Sequence, residues 1–169
     1  MIRGMHHVAY KCKDAEATRH FYEDILGLPL CHVIKLDHIP STGEHFPYVH
    51  LFFELHDGSC LAFFDIGDKQ ATVLDAQTPK WLQHFAMQVD SMDELLAYRQ
   101  RLLDAGIDVI GPTDHGFVKS IYFWDPNNLK MELTTPIHGA DILARHKSEA
   151  RRLLDEYTGA SKLTGAQAA

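Results

Sequence analysis

A chain of 169 residues with 46% hydrophobic and 23% charged side chains has the composition of an ordinary globular protein able to bury a core of its own. Its net charge of −7 sets it against nucleic acid, whose phosphates demand an excess of Lys and Arg. No apolar run approaches a membrane span and the opening residues do not read as a secretory signal, so a cytoplasmic protein with no membrane partner is expected. Three widely spaced cysteines, Cys12, Cys31 and Cys60, lack a Cys-x-x-Cys pair and point to free thiols in a reducing compartment. Histidine is the unusual residue, with twelve in the chain.

Met5 to Cys12 reads as a strand, and Asp14 caps a helix through about Leu26, with Gly27 ending it. Leu30 to Leu36 and Tyr48 to Leu55 are the next strands. His56-Asp57-Gly58 turns the chain into a fourth strand, Cys60 to Ile66. After a polar linker at 68–80 the pattern recurs. Leu82 to Val89 is a strand, and Ser91 with Glu94 forms a capping box for a helix to about Ala105. Ile107 to Ile110 is a short strand. A last pair of strands then flanks the turn Asp125-Pro126-Asn127-Asn128, where Pro presets φ and Asn tolerates the left-handed region. The order is β-α-β-β-β, twice.

The duplication can be checked by register. His7 to the cap Asp14 and His84 to the cap Ser91 both span seven positions. Both first strands alternate His-x-Ala-x-polar on one face (His7, Ala9, Lys11; His84, Ala86, Gln88) with apolar groups on the other. The apolar faces must pack on the helices, which leaves the histidine faces to curl into a cup. The fold class expected is α+β: modules at 5–67 and 81–136 form a cup-shaped mixed sheet within a domain at 1–138. An amphipathic helix at 139–158 and a flexible tail at 159–169 follow.

In the last strand, alternation puts Leu129, Met131 and Leu133 on one face and Lys130, Glu132 and Thr134 on the other. A carboxylate in mid-strand needs a compensating charge if its face is buried. His7, His84 and Glu132 would supply two imidazoles and one carboxylate, a set suited to Fe(II), with Zn, Mn or Ni also possible.

The double pattern with these three residues resembles the vicinal oxygen chelate superfamily, which includes glyoxalase I, bleomycin and fosfomycin resistance proteins and type I extradiol dioxygenases. The resemblance covers about Met5 to Pro136. Gly111, His115, Ile121-Tyr122, Asp125-Pro126 and Glu132 are most similar to the extradiol signature, although the Gly-to-His gap is one residue longer and Asn128 replaces the customary Gly or Pro. The resemblance implies an Fe(II) centre that takes a small aromatic diol and O2, with His115 and Tyr122 catalytic. The usual first-module histidine is absent, Ser59 and Cys60 standing in its region, and His50, His45 or His56 would have to substitute. His50, Phe52, Phe63 and Trp124 are candidates for the substrate cavity. In glyoxalase-type members the fourth strand of the first module adds a ligand. Aligning Leu61-Ala62-Phe63 with Lys130-Met131-Glu132 puts Phe63 there, which favours three ligands, and Asp65 lies one pleat beyond. The alternatives are a glyoxalase-like lyase, isomerase or thiol transferase, and a metal-free small-molecule-binding protein. Members of the superfamily often pair, and a homodimer is expected.

Overall fold

The computed structural model describes residues 3–70, 82–137 and 140–165, so most of the expected linker and the last residues of the expected tail lie outside the described residues. In the first module, strand β1 (His7–Cys12) leads to the Asp14 cap, whose carboxylate accepts from Ala17 N at 2.9 Å, and to helix α1 (Ala15–Arg19). The helix widens into a π-helical turn at His20–Ile25 and stops at Gly27, where φ is +77°. Strands β2 (Leu30–His38), β3 (His45–Glu54) and β4 (Cys60–Asp65) complete it. The second module repeats the plan with β5 (Phe85–Gln88), α2 (Met92–Asp104), β6 (Ile110–Asp114), β7 (Val118–Trp124) and β8 (Lys130–Pro136).

Both modules form a four-stranded sheet of one topology, β1-β4-β3-β2 and β5-β8-β7-β6. The first strand pairs parallel to the last and the remaining pairs are antiparallel. The α+β duplication read from the sequence is the observed architecture. Several boundaries differ by two or three residues, β5 starting at Phe85 rather than Leu82 and β3 at His45 rather than Tyr48; two further differences have a clear physical cause. The strand expected at Ile107 to Ile110 begins at Ile110 and runs through Gly111 and Pro112. Proline is tolerated there because β6 is an edge strand. The C-terminal helix α3 (Ala140–Gly165) continues into the stretch expected to be a flexible tail, since no proline interrupts it.

The two sheets share one core. Tyr22 stacks on Phe53 at 5.2 Å and meets Phe63 at 4.8 Å, both in the first sheet, while its neighbour Phe21 faces Phe123 of the second at 6.2 Å. Leu95 and Leu102, fully buried on α2, and Met131 and Leu133 on β8 belong to the same cluster. Burying each such side chain contributes about 1.5–3 kcal/mol, so the modules hold each other by their apolar faces. Phe63 is therefore core and not cavity wall, which corrects the expectation from sequence. Its register partner is Tyr10, whose pleat points to the helices.

Candidate metal site

Glu132 sits in the middle of β8, with Ala86 of β5 opposite it on one side and Tyr122 of β7 on the other. It is 7% exposed, so its charge requires a partner. Ala86 is small enough to leave room above it for an imidazole. His84, just before β5, uses that room: its Nε2 lies 2.9 Å from Glu132 Oε2. On the other flank, Tyr122 Oη is 2.8 Å from His115 Nε2. Burial and then the Glu132 carboxylate hold the Tyr122 phenol above its ordinary range, so it stays protonated beside His115. Lys130 places its ammonium 4.2 Å over the Tyr122 ring, a cation–π contact that sequence reasoning missed. The signal was present: alternation along the last strand already puts Lys130 on the Glu132 face, and Tyr122 proves to be the register partner of Glu132.

These groups line a cleft of about 600 Å³ together with Phe117 and Val118. His115 is presented by the tight turn between β6 and β7, where its N–H donates to Val118 O at 3.0 Å. Gly111 shapes the approach. Its φ is +102°, and a Cβ there would lie 2.6 Å from Ser120 O. The C-terminal helix borders the cleft through His146, edge-on to Phe117 at 5.3 Å.

His7 is elsewhere. It is exposed at the start of β1, with Phe52 at 5.4 Å, His50 at 6.1 Å and its Nδ1 2.7 Å from that of His6. Among the described residues no three His, Cys, Asp or Glu side chains gather to hold a metal ion. The expectation that one chain brings His7 to His84 and Glu132 is not met. Both sheets give their apolar faces to a shared core, so each histidine face turns away from that core on its own sheet. His50 is buried against Phe64, ring centroids 3.6 Å apart, and its Nε2 finds no hydrogen-bond partner among the described residues. Burial, and then His7 and His32, push its pKa down to about 4. Phe52 lies with Cys60, Ala62 and Ile34 in a small cluster on that same face. His45 is exposed on β3 and His56 sits in the β3–β4 turn.

Register also settles which first-module residue corresponds to Glu132. Ala86 pairs with Glu132 and Ala9 pairs with Ala62, so the equivalent is Ala62, and the alignment through Phe63 was one residue off. Alanine offers no ligand. Asp65 is occupied with capping, accepting from Ala15 N at 2.8 Å.

The chain matches the model of the Glyoxalase/Bleomycin resistance protein/Dioxygenase superfamily over residues 4–133, and it belongs to that superfamily. No curated protein matches it. A glyoxalase family protein from Enterococcus faecalis is similar, at 25% identity and TM-score 0.57, over 78% of this chain and 97% of that one. The fold is also that of the fosfomycin resistance protein FosX from Listeria monocytogenes complexed with Mn(II) and sulfate, at 21% identity and TM-score 0.58 over 83% and 97% of the chains. An antibiotic binding protein from Streptomyces sp. CB03234 shares it at 20% identity and TM-score 0.54 over 80% and 97%. Among the described residues no helix is long and apolar enough to cross a membrane.

Proposed function

We propose that this chain is a divalent-metal enzyme of the extradiol type that opens a small aromatic diol with Fe(II) and O2, and that its site is completed between two copies. The observation that carries the reading is the 2.9 Å contact between His84 Nε2 and buried Glu132 Oε2. Donors about 2.1 Å from one ion and at right angles to each other lie about 3 Å apart, so the pair fits a cation. Two donors hold an ion weakly. His7 occupies the register position of His84 in the other module and stands exposed, so His7 of a second copy is the third ligand in this proposal. Bound iron would supply electron transfer between an electron-rich ring and O2.

The chain's own groups do the rest. Tyr122 and His115 Nε2 share a hydrogen bond, and a diol hydroxyl entering the cleft takes up one end of that pair, with His115 Nε2, in its unprotonated tautomer, accepting the diol proton. Lys130 stabilises negative charge that develops beside the Tyr122 ring. Phe117 and Val118 give the ring an apolar wall.

A second reading, a small-molecule-binding protein without resident metal, draws on the two-donor set within one chain. Anaerobic purification with elemental analysis, followed by oxygen uptake with a panel of catechols, separates the two. The enzyme reading expects iron and a yellow ring-opened product. Zinc at full occupancy with no oxygen consumption would overturn it, and absence of any retained or added metal would favour the binding protein.

A further inference from the structure

We propose that the cleft selects an aromatic ring that carries a carboxylate, and that Lys130 is the residue that recognises the acid. The inference rests on the reading of the cleft as a small-molecule site and adds the charge of the molecule it takes. Glu132 is the only carboxylate among the described residues that line the cleft, and His84 already faces it at 2.9 Å. Lys130 is the only lysine or arginine among them. It is half-buried, and its ammonium makes no ion pair with any described residue; the face of the Tyr122 ring, its centroid 4.2 Å away, is what it meets instead. A ring face offsets only part of the hydration an ammonium gives up, so an anion entering the cleft meets a cation whose charge is not yet matched.

Alternation along one strand and pairing with the next put the group there. Lys130 and Glu132 lie two positions apart on β8 and share a face, which Tyr122 joins as the register partner of Glu132. The lysine stem lays its head over the Tyr122 ring, while the hydroxyl of that same ring meets His115 Nε2 at 2.8 Å. One phenol therefore separates a proton acceptor from a fixed positive charge. A single aromatic ring substituted at both ends suits that arrangement, with a hydroxyl to His115, a carboxylate to Lys130 and the ring against Phe117 and Val118. Room is sufficient, since a cleft of about 600 Å³ falls among sites that enclose molecules larger than a bare diol. The acid is a carboxylate and not a phosphate because one lysine is a single point charge, whereas a dianion calls for a second cation or a guanidinium fork.

The test is anaerobic calorimetry of the full chain with 4-methylcatechol and 3,4-dihydroxybenzoate, which set a methyl group against a carboxylate, with oxygen uptake followed on the same two ligands. Wild type should bind the acid at least about tenfold more tightly, as one charge-assisted hydrogen bond provides. Lys130→Met keeps an unbranched stem beside Tyr122 and should bring the two ligands within about twofold of each other. Lys130→Arg should keep the preference. Lys69→Met removes the same charge from the first module, where it pairs with Asp14, and should behave as wild type. Equal affinities in wild type, a preference that survives Lys130→Met, or no binding of the acid at all would each overturn the proposal. Its failure is separable from that of the dioxygenase reading. A preference that Lys130→Met abolishes, without oxygen uptake, would leave the anion site standing and remove the enzyme; oxygen uptake with both ligands at equal affinity would do the reverse.

Discussion

Tyr22 donates its phenol hydrogen to Asp125 across 2.9 Å, joining the helix of the first module to the signature turn of the second. Asp125 also accepts from the N–H groups of Asn127 and Leu129, each at 2.8 Å. Asn127 in turn accepts from Lys13 N and donates to Thr18. The Asp-Pro-Asn-Asn turn is thus both a hairpin and the polar latch between modules. Burial raises the Asp125 carboxyl above its ordinary range despite these bonds, a sign of how much the site depends on its donors. Tyr22→Phe leaves that carboxyl short of a donor and should cost about 1–3 kcal/mol in urea unfolding at neutral pH, with the fold retained.

The shared-site proposal predicts a complementation. His84→Ala and Glu132→Gln should each weaken Mn(II) or Fe(II) binding by at least about a hundredfold in calorimetry. His7→Ala should do the same although one chain does not gather it with them. Mixing His7→Ala with His84→Ala subunits after unfolding and refolding should restore about a quarter of wild-type sites, since half of random dimers are mixed and each holds one intact site of two. No recovery on mixing would show that the copies do not share a site.

Tyr122 contributes a proton donor and no ligand in this reading. Tyr122→Phe should keep metal affinity within about twofold and lower turnover by about 10²- to 10⁴-fold, as loss of an acid–base group does. Oxygen uptake at saturating catechol, beside metal titration of the same preparation, checks the split.

His50 predicts a pH effect that is measurable in the presence of chelator. Its pKa falls from 6.5 to about 4 on folding. The unfolded chain therefore binds the proton first as pH drops, and stability contributed above pH 6.5 is lost progressively toward pH 4. Between pH 7 and 4.5 this site should account for roughly 2 kcal/mol. His50→Phe, which also removes the orphaned Nε2, should be close to wild type at pH 7 and flatten this part of the urea stability profile. A wild-type slope unchanged by the substitution would place the effect elsewhere.

Gly111→Ala tests the approach to His115. A methyl group 2.6 Å from Ser120 O, on backbone with φ of +102°, forces β6 away from β7. The expected cost is about 1–3 kcal/mol in thermal or urea unfolding, with activity falling further than stability alone explains.

Several features were legible in the sequence because they are local. The Asp14 and Ser91 caps are observed as hydrogen bonds of 2.9 and 3.2 Å, and Asn128 adopts φ of +65° as its place in the turn suggested. Period-2 alternation put Glu132 on the face opposite Met131, which is where it lies. The place of Phe63 is not legible in the same way, because an isolated strand carries no mark of its pairing and a slip of one residue exchanges every side chain between faces. The strand Ile110–Asp114 begins later than its sequence suggests, because Gly-Pro reads as a break unless the strand is an edge.

Short-range geometry and alternation set the duplicated α+β plan, the caps, the latch turn and the common face of His84 and Glu132, and all of these can be read along the chain. That Ala62 and not Phe63 answers to Glu132, and that His7 stays with its own sheet, emerges from the packing of the sheets. Those depend on which faces two sheets turn to a common core, and hydrophobic burial is non-directional: it requires apolar faces to meet without specifying, residue by residue, which partners they find.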